Sequence, residues 1–139
     1  MTRLILSLAL LLGAPAMAQD TDISGKIAVE LNSAETREGS CMLTFMITNG
    51  TEAAASQVVY ETVLFDTSGQ VDRLTLFDFG ALPPARPRVR QFMVPELACE
   101  SLGRVLFNGA NTCAGDGLDP GVCDKGLLPG SRLKIEVLG

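Results

Sequence analysis

The tightest constraint in this chain is the run Cys41–Thr48, where Cys41, Leu43, Phe45 and Ile47 alternate with Met42, Thr44, Met46 and Thr48. A period of two sends one set to a core and the other outward, which is the pattern of a half-buried β-strand. A polar, alanine-rich loop follows, then a second strand, Val58–Phe65, closed by Asp66-Thr67-Ser68-Gly69, where glycine suits a left-handed turn position. On that strand Val58, Tyr60, Thr62 and Leu64 share one face, and Val59, Glu61, Val63 and Phe65 the other. Glu61 marks the second face as the outer one. Both faces are mostly apolar, so something is expected to lie over part of the outside.

The remaining segments supply partners. Lys26–Leu31 alternates and predicts a strand, followed by a charged loop over Asn32–Ser40. Val71–Phe79 is a less regular strand whose pattern suggests a bulge. Gly80–Pro87 holds three prolines and must cross from one sheet to another in extended form. Arg88–Val94 resumes as a strand until Pro95, Glu96–Ser101 makes a corner, and Leu102–Asn108 is a further strand. Asn111–Gly130, rich in Gly, Asp and Pro, predicts a long irregular loop held by a disulfide rather than by a core. Leu133, Ile135 and Val137 then alternate with charged residues in a last half-buried strand. Strands with turn signals between them and no helical period predict an all-β fold. The expected form is an antiparallel β-sandwich of about seven strands, immunoglobulin- or fibronectin-like. Trp is absent, so Leu, Val, Ile and the six Phe must fill its core.

The first residues predict an export signal, Met1–Ala18: Arg3, an apolar run Leu4–Leu12, and Ala16-Met17-Ala18 as a small-residue cleavage site. The run is shorter than the roughly 20 residues of a permanent membrane anchor. The expected product is one domain, Gln19–Gly139, located in the periplasm or secreted. Without Arg3 it carries ten basic and sixteen acidic residues, a balance that disfavours nucleic acid and anionic membrane as partners. Four Cys in an exported chain predict two disulfides. Three pairings are open; Cys113 and Cys123, ten positions apart in one loop, pair most naturally with each other, which leaves Cys41 with Cys99.

The chain has no His, which removes the commonest general base and the Ser-His and Cys-His nucleophile pairs. No phosphate-cradling glycine loop and no G-x-S-x-G elbow is present. A non-enzymatic protein without a cofactor is therefore expected. Candidate binding features remain. Asp116, Asp119 and Asp124 place three carboxylates in the short disulfide loop and are candidate calcium ligands, although Asp with Gly is ordinary turn chemistry. Met42 and Met46 share a strand face, where thioethers either bind cuprous ion or pack under a neighbour. Arg86, Arg88 and Arg90 either grip a carboxylate-bearing partner or pair with Glu61 or Asp78 across strands. The loops expected to be most exposed are Thr51–Gln57 and Ala114–Val122.

Thr62–Gly69, with Leu64, Phe65, Asp66 and Gly69 in place, resembles the signature of FxLYD domains, small extracytoplasmic sandwich modules; Thr62 stands where that family has Phe. Thr48-Asn49-Gly50 and Leu82-Pro83-Pro84 fit the same layout. Asp78-Phe79-Gly80, Pro87–Phe92, Leu97-Ala98-Cys99 and the Cys113–Cys123 loop are similar to an uncharacterised family of small exported bacterial proteins labelled only by a twin-arginine signal, which this sequence lacks. Both resemblances imply an exported sandwich module and bring no catalytic residue. The expected role is a protein-binding or accessory module for an extracytoplasmic partner. The alternatives are a calcium- or small-ligand-binding protein using the Asp116–Asp124 loop, or an inhibitor of an exported hydrolase.

Overall fold

The computed structural model of the protein describes residues 13–14 and 21–139. Apart from Gly13 and Ala14, the export signal over Met1–Ala18 lies outside the described residues. The strand rich in alternating apolar residues, β2 (Ser40–Asn49), is a central strand. It is flanked by β1 (Ile27–Arg37) on one side and β5 (Arg88–Val94) on the other, and β7 (Leu127–Ser131) completes the sheet in the order β5-β2-β1-β7. The facing sheet runs β4-β3-β6-β8, built from β3 (Ala55–Asp66), β4 (Val71–Leu82), β6 (Leu102–Ala114) and β8 (Glu136–Leu138). Because β2 pairs with β5 rather than with β3, the chain changes sheets three times before β7 and a fourth time to reach it. Greek-key connections of this kind define the immunoglobulin/fibronectin-like sandwich.

Cys41, Leu43, Phe45 and Ile47 are fully buried, as their alternation requires. Opposite them lie Val58, Tyr60, Thr62 and Leu64 of β3, also fully buried. With Trp absent, an aromatic cluster takes the centre. Phe45 meets Phe77, Phe79, Phe92 and Phe107 at centroid distances of 5.8–6.1 Å, in tilted or edge-on geometry. Phe77 stacks on Phe92 at 4.2 Å, joining the two edge strands β4 and β5 across the sandwich. Two disulfides close the framework: Cys41 at the start of β2 with Cys99 in the corner before β6, and Cys113 at the end of β6 with Cys123.

The expected sandwich is found, with eight strands where about seven were expected. Several details are corrected. β1 does not end at Leu31: a bulge at Asn32 interrupts the alternation, and the strand continues to Arg37 and a two-residue turn, Glu38-Gly39. Both turn residues have positive φ, 48° and 80°. The Asn111–Gly130 stretch is not a coreless loop. β6 extends through Ala114, a single helical turn α1 spans Val122–Lys125, and β7 starts at Leu127. Leu118, Val122 and Cys123 of this stretch are buried in the core. The last strand is short. β7 lies parallel to β1 in one sheet and β8 parallel to β6 in the other, so Arg132–Ile135 must carry the chain between sheets; after the Arg132 amide bond to the Leu31 carbonyl at 3.0 Å it joins neither ladder. The sandwich is therefore antiparallel only over its first six strands. The bulge expected in β4 is present, at Phe79, and a second lies at Asp72.

Candidate functional site

One end of the sandwich gathers the two loops that the sequence marks as exposed. The β2–β3 loop supplies Gly50, Thr51, Glu52 and Ala53; the β6–α1 segment supplies Gly117, Leu118, Asp119 and Val122. With Ser24 and Gly25 they line an open cleft of about 580 Å³. Two carboxylates, Glu52 and Asp119, stand on its walls, and among the described residues no lysine or arginine lines it. Leu118, Val122 and Ala53 provide the apolar part.

The walls are fixed by backbone-directed polar groups. Asn49, the last residue of β2, is fully buried. Its Nδ2 donates to the carbonyls of Ala53 at 2.8 Å and Leu82 at 3.1 Å. Its Oδ1 accepts from the Thr51 amide at 3.0 Å and the Thr51 hydroxyl at 2.7 Å. The Asn49 carbonyl accepts from the Ala85 amide at 2.8 Å, so one residue ties β2, its loop and the proline crossing together. Gly50 allows the N-terminal segment to cross close by: a Cβ there would sit 1.9 Å from the Ile23 carbonyl oxygen. Gly115 plays the same part between the two loops, since a Cβ there would lie 2.2 Å from the Ala54 carbonyl oxygen.

The α1 side is held as firmly. Cys123 is bound to Cys113, and the Tyr60 hydroxyl donates to the Cys123 carbonyl at 2.8 Å. Burial is the main cause of a strongly raised Tyr60 pKa, helped by the negative charge of Asp124. At the rim, the Ser24 amide donates to Asp22 at 2.9 Å, and that bond is the largest cause of a lowered Asp22 pKa.

The three candidate calcium ligands are not brought together. Asp119 accepts from the Gly121 amide at 2.9 Å, an ordinary turn bond. Asp124 turns to the Ala110 amide at 2.9 Å, and Asp116 is exposed. Among the described residues no group of three acidic, histidine or cysteine side chains is placed to hold a metal. Met42 is buried, while Met46 is 38% exposed on the outer face of β2.

The expected pairing of the arginines with Glu61 or Asp78 is also corrected. Glu61 instead accepts from Asn108 at 2.6 Å, and Asp78 from Gln57 at 3.1 Å and from the Gly80 amide at 2.8 Å. Arg90 reaches across the seam between the sheets, donating to the Phe79 carbonyl at 2.7 Å and the Ala81 carbonyl at 3.2 Å. Arg88 turns to the Pro87 carbonyl at 3.1 Å, and Arg86 is exposed. Only Arg90 thus has a cross-strand role, and it is to stitch two edge strands. Inward-pointing charge of this kind also blunts an edge against further strand pairing.

The residues that sequence reasoning missed are the fixers: Asn49, Gly115 and the Tyr60 hydroxyl. Asn49-Gly50 is itself a turn dipeptide, but nothing in a linear reading says that Asn49 is fully buried.

Fold and site together define a disulfide-stapled two-sheet sandwich with a preorganised cleft of loops at one end. No family model and no curated protein matches the chain. Among solved structures, that of IrmA from Escherichia coli is similar, with a TM-score of 0.56 at 12% identity over 75% of this chain and 90% of that one. At such identity the likeness bears on the fold.

Proposed function

We propose that the protein is a non-enzymatic, exported binding module, periplasmic or secreted, that engages an extracytoplasmic protein through its loop end. The observation that carries this reading is the fixing of both cleft walls by Asn49, Gly115, the Cys113–Cys123 bond and Tyr60. Loops ordered before binding lose little entropy on binding. Export is supported by the two disulfides. The resemblance to exported sandwich modules points the same way, and the absence of His supports the non-enzymatic part of the reading.

The test is affinity capture from extracytoplasmic extract with the oxidised protein and with a Glu52→Lys/Asp119→Lys variant. The expected result is one stoichiometric partner, lost with the variant. No such partner, or one retained by the variant, overturns the reading. A hydrolase as that partner selects the inhibitor role. A second reading, a small organic ligand in the same cleft, is favoured by the cleft's size, within the roughly 300–1,000 Å³ of ligand sites. A cationic or amine-bearing metabolite that raises the melting temperature of the wild type but not of the variant distinguishes it.

A further inference from the structure

The outer face of the β4-β3-β6-β8 sheet carries a continuous apolar row, one side chain from each strand. Leu74 lies opposite Val63, Val63 opposite Leu106, and Leu106 opposite Leu138 in the strand register. Val71 and Leu76 widen the row along β4. Leu74 is 62% exposed, Leu76 55% and Val71 49%, so no described segment covers this end of the face, while Val63 sits low between its neighbours at 8% and Leu138 closes the row at 36%. The outward side of an antiparallel sheet is ordinarily its polar side, and a contiguous apolar patch rimmed by polar groups marks a docking surface.

The rim says what docks. Among the paired strand residues Glu61, Asp78 and Glu136 project on this face by alternation, against Arg104, which is already committed to Glu136 at 2.9 Å. The face is thus two charges negative. A second copy meeting it face to face would set acid against acid, and an anionic membrane would be repelled. Four strands at about 4.8 Å spacing make the row about 14 Å long, which is two to three turns of helix. We infer that this face docks a cationic amphipathic helix of a protein partner, its apolar stripe along Leu74–Val63–Leu106–Leu138 and its lysines or arginines over the acidic rim. The inference is independent of the loop-end cleft, which lies elsewhere on the molecule.

The test uses the whole oxidised protein and two synthetic helical peptides with leucines at i, i+3, i+4 and i+7, one flanked by lysines and one by glutamates. Binding is read by fluorescence anisotropy against the wild type and a Leu74→Asp/Leu76→Asp variant. Both leucines are exposed, so the variant keeps its fold, checked by circular dichroism and melting temperature. The lysine peptide should bind the wild type, the glutamate peptide should not, and the variant should lose tenfold or more. The variant is more acidic, so attraction by charge alone would strengthen its binding. Unchanged or stronger binding to the variant overturns the proposal, as does no binding to the wild type. Wild-type dimerisation abolished in the variant, seen by sedimentation, overturns it in favour of a second copy.

Discussion

Asn49 shows how one buried side chain can hold a site. Its amide satisfies two carbonyls and its oxygen receives the two donors of Thr51. Replacing it with Leu leaves the buried Leu82 carbonyl without this donor and the part-buried Thr51 amide without its acceptor, while the Ala53 carbonyl keeps the Thr51 hydroxyl. An unsatisfied buried polar group costs about 1–3 kcal/mol, so Asn49→Leu should lower the unfolding free energy by roughly 2–4 kcal/mol in denaturant titration. Glu38 presents the opposite case. It sits at φ 48° in a turn that asks for Asn or Gly. Glu38→Asn should raise stability by about 0.5–1 kcal/mol, read from the midpoint at unchanged slope. Asp66 supplies a pH dependence. The Ser68 hydroxyl, then the Gln70 amide, lowers its pKa in the folded protein. A depressed folded value means that the contribution is present above the ordinary carboxyl range and lost as pH falls through the folded value. The stability gap between wild type and Asp66→Ala, full at neutral pH, should therefore close as pH drops below about 4.

Among the elements, the segment between β6 and β7 decides whether the cleft exists. The sequence shows its glycines, aspartates and cysteines, and from their spacing both disulfides could be assigned as they are found. β2, β3, β5 and the crossing between β4 and β5 were equally legible, because strict alternation and proline report directly on local geometry. What stayed hidden depends on contacts distant in sequence. Leu118 and Val122 are isolated apolar residues in a polar stretch, and only the open end of the sandwich makes them core. The extension of β1 was masked by the bulge at Asn32, which breaks the period that signals a strand. Leu133–Val137 shows the reverse error, a good alternating pattern of which Leu133–Ile135 is spent on a crossing and only Glu136 and Val137 enter β8, because β7 and β8 lie in different sheets. Of the site, both segments were legible as loops, but the burial of Ala55, Leu118 and Val122, the start of β3 at Ala55 and the meeting of the two loops were not. The meeting turns on Gly115, where a methyl group would collide with the Ala54 carbonyl. Gly115→Ala should cost about 1–3 kcal/mol and push the loops apart, seen as faster amide exchange at Thr51–Ala53 and Leu118–Asp119 while β2 and β3 keep their protection.

At the scale of the whole molecule, aromatic packing and two disulfides make a scaffold whose ends differ in use. One end holds Cys41–Cys99 and the other holds Cys113–Cys123 with α1 drawn onto the core. The link between that core and the cleft is Tyr60, the chain's one tyrosine, in a protein without tryptophan. Its phenolate band is therefore a private reporter of this junction. Burial raises its pKa, so its contribution is complete below the unfolded value of about 10 and is lost as pH rises toward the folded value. The decisive measurement is an alkaline titration of the oxidised protein, following phenolate absorbance and circular dichroism together. With α1 packed onto Tyr60, phenolate should stay absent above pH 10 and then appear in step with cooperative unfolding. A reversible titration centred near pH 10, with the β-sheet spectrum intact, would contradict a loop end locked to the core.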